Sequence, residues 1–385
     1  MAPSVLKVIW KVLILARFCV LLADAYQPNE VQDPSPYGSL EQDSAEQQER
    51  KPSQANSWPL RDDSYGDISS IAVHPTGELF ILHRGSHMWR EDSFNASNVY
   101  QELDKGAIPE DVLIGVDSET GEKHHHWGRN RFYMPHGLTI DEKGNFWITD
   151  VALHQVFKVD PEQLEVAMAL GEAGVPGADK THFCKPTDVA VASDGTFFVA
   201  DGYCNSRVIK FSPKGDFLLQ FGRASQPGSL SLSPSPSDSL NIPHSLALVE
   251  NYDLICVANR EDEKIQCFTA GLAVRKPDDT ETAGKFVLQV AHPQLSRVFA
   301  IHYTPALNKL YAVNGVGFSL QDKPLQIFSV DLSKNDIQAW NPEEEGAILS
   351  SPHDITLSPN GQYIYVADLA PRPTVWKFVN DDFKA

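Results

Sequence analysis

No uncharged apolar run in this chain approaches the ~20 residues that cross a bilayer. Long helical periodicity is missing between Asp67 and Phe378, which leaves strands to build any core. Positive charge is in short supply: 32 Lys and Arg against 51 Asp and Glu give a formal net charge of −19. That balance removes phosphate backbones from the expected partners, because nucleic acid rewards a basic face. It suits solubility in a crowded lumen. Cysteine is sparse, with five in 385 residues.

What is present begins with MAPSVLKVIWKVLILARFCVLLADA, basic and then apolar, ending in the small-x-small pattern Ala23-Asp24-Ala25 that signal peptidase accepts. Lys11 and Arg17 interrupt the apolar stretch, so residues 1–25 are expected to be a cleaved signal peptide and not an anchor. The implied location is the secretory pathway lumen, secretory granules or the extracellular space. Removal of the signal takes Cys19 with it and leaves an even set, Cys184, Cys204, Cys256 and Cys267, for which composition allows three pairings. Asn95-Ala96-Ser97 is a glycosylation sequon open to a secreted chain. Residues 26–62, rich in Gln, Glu, Ser, Pro and Asp, are expected to be a disordered leader. The folded domain is then expected over 63–380. The tract ASQPGSLSLSPSPSDS at 224–239 reads as a surface loop within it, because the pattern resumes on its far side.

That pattern is a repeat. DISSIAVHPTGELFILHRG, MPHGLTIDEKGNFWITD, KPTDVAVASDGTFFVAD, IPHSLALVENYDLICVAN, RVFAIHYTPALNKLYAVNG and SPHDITLSPNGQYIYVAD are six copies of a strand, a turn carrying Gly or Asn, and a second strand often ending in Asp. Third strands follow in HQVFKVD, SRVIKFS, EKIQCFT, LQIFSVD and TVWKFV. A period of about 50 residues with three or four strands per unit predicts an all-β, six-bladed β-propeller, in preference to a pair of β-sandwiches.

Aligned on their turns, the copies make His136, His244 and His353 equivalent, each just before the innermost strand of its blade; Ser69, Thr187 and Phe299 take the place in the other three. Alternate blades of a six-fold ring lie 120° apart, so the three imidazoles should converge on the axis as a tripod for Zn²⁺ with an open fourth position. The alternative is a repeat-consensus turn in which each His only bonds backbone, which does not explain their confinement to alternate blades. His124-His125-His126, adjacent in a polar loop, are expected to be solvated.

Hairpin geometry puts residues that follow the second strand on the same face as the histidines. These include Arg84, Tyr203 and Arg260, a set that suggests an anionic substrate, against the ordinary reading of surface ion pairs and packing. The same geometry makes Cys184–Cys204 and Cys256–Cys267 plausible disulfides, each beside a candidate site residue and each worth about 3 kcal/mol.

HRGSHMW, YMPHGLTID, TDVALHQVFK, HFCKPTDVAV, DGYCNSR, IPHSLALV, CVANREDEKIQCF and SPHDI closely resemble the peptidyl-α-hydroxyglycine α-amidating lyases of peptide-hormone biosynthesis, whose propeller is built from NHL repeats. The resemblance runs from about Asp67 to Phe378. It implies a stand-alone, monomeric lyase that works downstream of a separate peptidylglycine monooxygenase and cleaves a peptidyl-α-hydroxyglycine to a peptide amide and glyoxylate. It further implies zinc on His136, His244 and His353 and Tyr203 as general base. A phenol titrates near ~10, so that role needs the metal and Arg260 beside it. Arg84 and Arg260 match the family's site arginines, one of which can fork onto the substrate carboxylate. A structural calcium is implied on Asp354 and the backbone carbonyls of Ile71 and Leu138, oxygen ligands suited to a hard cation. Two departures stand out: Ser351 replaces the Met of the family's Met-Pro-His-Asp, and Asn259 replaces the Asp before the site arginine. Two rivals share the fold. A non-catalytic NHL-repeat binding platform has no use for the alternate-blade histidines, and a calcium-dependent propeller hydrolase of the lactonase kind has no need of three imidazoles.

Overall fold

The computed structural model describes residues 52–380 apart from 56–57, 63, 225–236, 273–282, 317–322, 335 and 370. The expected signal peptide, the leader up to residue 51 and most of the tract 224–239 lie outside the described residues.

Each repeat copy folds as an antiparallel meander. Blade one is Ile68–Val73, Leu79–His83, Leu113–Val116 and Lys123–Trp127. Blades two to five follow the same plan, with inner strands Pro135–Ile140, Asp188–Val191, Pro243–Val249 and Arg297–Thr304. Blade six contributes Pro352–Leu357, Tyr363–Asp368 and Thr374–Val379. The inner strands neighbour one another around the axis in chain order, and the sixth touches the first, which closes the ring. No α-helix occurs among the described residues.

The sequence causes behind a blade are visible in blade two. Asp141 closes its first hairpin by accepting from the Lys143 and Asn145 amides, and Gly144 takes φ +82°, a conformation only glycine enters freely. Blades stack face to face, so both faces of the middle strands are buried. Phe146-Trp147-Ile148-Thr149-Asp150 and Phe197-Phe198-Val199-Ala200-Asp201 are buried throughout, as continuous apolar runs and not alternations. Six hydrophobic clusters result, one in each gap between neighbouring blades.

The fold begins earlier than composition indicates. Ser53–Gln54 and Leu60–Arg61 both pair with Thr374–Val379 and supply the outer edge of blade six. The expected leader boundary at residue 62 is therefore too late by about ten residues, because these short strands are polar and carry no alternation to betray them. Tying the start of the described chain to its end closes the ring without leaving that edge open. His124, His125 and His126 lie on the outer strand of blade one, not in a loop, and are exposed as expected.

Candidate functional site

The tripod forms. His136, His244 and His353 are buried, and their candidate ligand atoms lie within 4.8 Å of one another, with ring centroids 4.8–4.9 Å apart. What orients them comes from the other blades. His136 Nδ1 donates to the Thr187 carbonyl (2.8 Å), His244 Nδ1 to the Phe299 carbonyl (2.6 Å) and His353 Nδ1 to the Ser69 carbonyl (2.7 Å). A carbonyl can only accept, so each ring carries its proton on Nδ1 and presents a bare Nε2 to the axis. Burial pushes all three imidazoles well down from their ordinary range, His353 to about 3, helped by the positive charge of Arg84 and Arg260. Three neutral nitrogen donors with an open side are the donor set of a catalytic zinc site.

One residue further along each strand is a second layer. The chamber below the tripod is lined by the six tripod-level residues and their successors, Ser70, Gly137, Asp188, Ser245, Ala300 and Asp354. Here the carboxylates come from blades three and six, which face each other across the ring. Burial raises Asp354 to about 6, and burial together with the charge of Asp354 raises Asp188 to about 7. Asp354 Oδ2 accepts from the Ile71 amide (2.9 Å) and from the Ser70 hydroxyl, and Ser70 Oγ accepts from the Leu138 amide (3.0 Å). Ile71 and Leu138 thus turn their amides to the channel, and in a strand a residue's carbonyl shares the edge of its amide. Carboxylates and inward carbonyls make an oxygen set that fits a hard cation. Beyond this layer the channel widens to a cavity of about 400 Å³ lined by the inner strands, His302 among them.

Above the tripod, Tyr203 Oη lies 3.0 Å from His136 Nε2 and 3.2 Å from His244 Nε2. Arg260 Nη1 lies 3.5 Å from the same hydroxyl, and its guanidinium sits over the Tyr203 ring at 5.3 Å. Glu261 holds Arg260 through its Nε and also pairs with Arg297. Arg84 is buried, with Nη1 3.5 Å from Asp67 and Nε donating to the Pro135 carbonyl. Arg84, Tyr203 and Arg260 therefore lie together at this end of the channel.

Local sequence explains why. The polar residue ending each second strand reaches back to the segment that feeds the histidine. Asp150 accepts from the Tyr133 and Met134 amides just before Pro135-His136, and Asp368 from Ser350 and Ser351 just before Pro352-His353. Asn259 does the same for Asn241 (2.7 Å) before Pro243-His244, so the Asp-to-Asn departure keeps the clamp. Its amide nitrogen then donates to Ser239 O, Asp262 and Gln266. Gly202 lets Tyr203 approach, since a Cβ there would sit 2.1 Å from the Pro243 carbonyl oxygen. Both expected disulfides, Cys184–Cys204 and Cys256–Cys267, are formed. Two disulfides are the mark of a secreted or lumenal protein. No helix among the described residues is long and apolar enough to cross a membrane. Asn95 is exposed, on the connection between the second and third strands of blade one.

Known proteins are similar to this chain in sequence and in fold. The NHL repeat family matches residues 132–159 and 183–211. A Drosophila melanogaster protein named peptidyl-alpha-hydroxyglycine alpha-amidating lyase 2 is 37% identical over 84% of this chain and 74% of its own length. The chain belongs to the peptidyl-α-hydroxyglycine α-amidating lyase family. It is also similar to peptidyl-glycine alpha-amidating monooxygenase B of Xenopus laevis, 43% identical over 83% of this chain. The chain spans about a third of the length of that protein and of the other monooxygenases it matches. Among solved structures, Kuenenia stuttgartiensis hydrazine synthase shares the fold alone: TM-score 0.51 and 12% identity, over 80% of this chain and 75% of that one.

Within this lyase family member, three features escaped sequence reasoning. The carbonyls of Ser69, Thr187 and Phe299 serve the tripod, yet a backbone acceptor leaves no signature in residue type. Asp188 had one: Pro186-Thr187-Asp188 aligns with Pro352-His353-Asp354, so the repeat alignment that found the histidines also held the second carboxylate. Trp89 packs against Tyr203 at 5.0 Å, on a connection too irregular to align.

Proposed function

We propose that this chain cleaves peptidyl-α-hydroxyglycine to a peptide amide and glyoxylate, with His136, His244 and His353 holding zinc. The observation that carries the reading is the tripod of Nδ1-protonated imidazoles with the Tyr203 hydroxyl bridging two of them, in a member of this lyase family. Zinc in the tripod would supply Lewis-acid polarisation of the substrate's carbinol.

The chain's own residues do the rest. Arg84, buried and paired with Asp67 through Nη1, offers its remaining guanidinium N–H groups to the terminal carboxylate. Arg260, with Nη1 3.5 Å from the phenolic oxygen and its guanidinium over the ring, holds Tyr203 against the tripod. Tyr203 takes the carbinol O–H proton as general base. The oxygen lone pair then forms the aldehyde C=O as the C–N bond breaks. The electron pair leaves on the amide nitrogen, which takes up one proton, so a single proton moves from oxygen to nitrogen overall. Tyr203, able to carry it, need not exchange with solvent.

Asp354, with the Ile71 and Leu138 carbonyls, would hold a structural calcium beneath the tripod. The disulfides and the Asn95 sequon support passage through the secretory pathway to granules or the extracellular space, as a monomer that receives its substrate from a peptidylglycine monooxygenase. A binding platform without chemistry has no need of a tautomer-locked tripod.

The test is glyoxylate release from a synthetic α-hydroxyglycine peptide, before chelation, after it, and with zinc restored. Release that disappears and returns supports the lyase. A folded, zinc-loaded chain that releases none above the uncatalysed rate leaves the binding-platform reading.

A further inference from the structure

Blade one differs from the others at the catalytic face. Its second and third strands are joined by the stretch from Arg84 to Val112, where blade two uses Val151–His154 and blade three Gly202–Ser206. This stretch is folded back on itself. His87 Nδ1 donates to the Tyr133 carbonyl (2.8 Å), Phe94 bridges to Tyr100, and the Gln101 amide donates to Ser93 (2.9 Å). Its result is to hold Trp89 over the site. The indole lies 5.0 Å from the Tyr203 ring, 5.3 Å from Phe94 and 6.4 Å from His136, and the Arg84 guanidinium stacks on it at 5.5 Å. Trp89 therefore touches two groups that the reaction needs and is itself only partly exposed.

We propose that Trp89 is the positioning residue of this active site, setting the ring of Tyr203 and the guanidinium of Arg84 relative to the tripod. The inference rests on the lyase reading. Tyr203 is attached by one rotatable arm, and its hydroxyl must stay near two imidazole nitrogens. The Arg260 guanidinium and the Trp89 indole pack against its ring, at 5.3 and 5.0 Å, and the His136 and His244 rings meet it edge-on at 5.4 and 5.8 Å. Arg260 is fixed by Glu261, so removing Trp89 frees the ring on the other side. Arg84 loses its stacking surface in the same step, while its bonds to Asp67 and Pro135 stay. A displacement of about 1 Å at a reacting group costs on the order of 100-fold in rate. The loss should fall on turnover more than on metal binding, because Trp89 meets the tripod at the edge of His136, 6.4 Å between centroids, and the Thr187 carbonyl holds that ring independently.

The experiment compares Trp89→Ala, Trp89→Leu and Trp89→Phe with the parent, each checked for zinc content. Ala and Leu should lower kcat about 100-fold with KM changed less than about 3-fold, and Phe should recover to within about 5-fold. Leu fills volume without a flat face, so a merely structural role would let it rescue as well as Phe. A parent-like kcat in Trp89→Leu, or a Phe variant as slow as Ala, overturns the proposal. A second readout needs no turnover. Glyoxylate added to the zinc-loaded chain should quench, saturably, the emission that the parent has and Trp89→Phe lacks. A parent that turns over normally with no such quench removes Trp89 from the site, whereas quenching without turnover defeats the lyase reading and keeps Trp89 beside an anion site.

Discussion

The two layers of the channel are built from consecutive residues of the same strands and come out with different symmetry. At the upper layer, imidazoles from blades two, four and six alternate with residues whose carbonyls take the imidazole protons. At the lower layer, Asp188 and Asp354 come from blades three and six, opposite one another. Three-fold placement of neutral nitrogens leaves a tetrahedral ion one free position, as a reaction requires. Opposed carboxylates with inward carbonyls are an oxygen set that would suit a hard cation held as a girder. Burial acts on both in the direction of neutrality: it pushes the histidines down, which readies them as ligands, and the aspartates up, which leaves them in want of a cation. On the proposed reading, one repeat supplies both a working site and a bracing site, and the difference is only which blades carry the ligand.

The sharpest break in that comparison is within the upper layer. His244→Ala should lose zinc and glyoxylate release together. Tyr203→Phe should keep one zinc per chain and lose about 10³-fold in kcat, within the range for a positioned general base. Metal analysis beside turnover separates them; parent-like turnover in Tyr203→Phe would move the base elsewhere.

Next in size is Asn259→Asp, the residue more usual in the family. The carboxylate would keep the Asn241 amide but face the Ser239 carbonyl, Asp262 and the Gln266 carbonyl oxygen, three acceptors that now share the two N–H groups of Asn259. The expected loss is about 1–3 kcal/mol in urea unfolding, the usual consequence of stranding buried acceptors. Unchanged stability would mean that this pocket reorganises freely.

The lower layer is probed by pH. In chelator, Asp188 and Asp354 have folded-state values raised above those of the unfolded chain. Their contribution is then present below about 4 and is lost as pH rises through 6 to 7. The metal-free histidines run the other way, their contribution being complete above about 6.5 and lost as pH falls toward 3. Asp354→Asn should accordingly be more stable than the parent at pH 8 in chelator. With calcium at 100 times its Kd, worth about 2.7 kcal/mol to a chain that binds it, the order should reverse. Melting curves that keep the same order in both conditions would remove calcium from this layer.

The fold was legible because six copies of one hairpin pattern survive in the sequence, and the tripod because Pro-His recurs in alternate copies. Arg84, Tyr203 and Arg260 were reachable by hairpin geometry alone. What stayed hidden depended on backbone or on irregular chain. A carbonyl that locks a tautomer has no letter, Ser53–Gln54 and Leu60–Arg61 are too short and polar to read as strands, and the connection that carries Trp89 has no counterpart in other blades.

The smallest effect is expected at Ser351, where the family usually carries methionine. Its backbone does the local work: the amide donates to Asp368 (2.5 Å) and the carbonyl accepts from Leu369 (2.9 Å). Ser351→Met leaves both in place and adds an apolar, polarizable arm two residues before His353, on the face where the substrate peptide must arrive. A thioether against an aromatic group contributes about 0.3–1.5 kcal/mol, so KM should fall between roughly 2-fold and 10-fold for a peptide with an aromatic residue before the hydroxyglycine. Peptides with glycine there should respond little, and kcat should stay level for both, because the new contact is the same in ground and transition states. A change in kcat with KM unmoved would instead tie position 351 to Tyr203 and the tripod, making the departure one of chemistry and not of substrate preference.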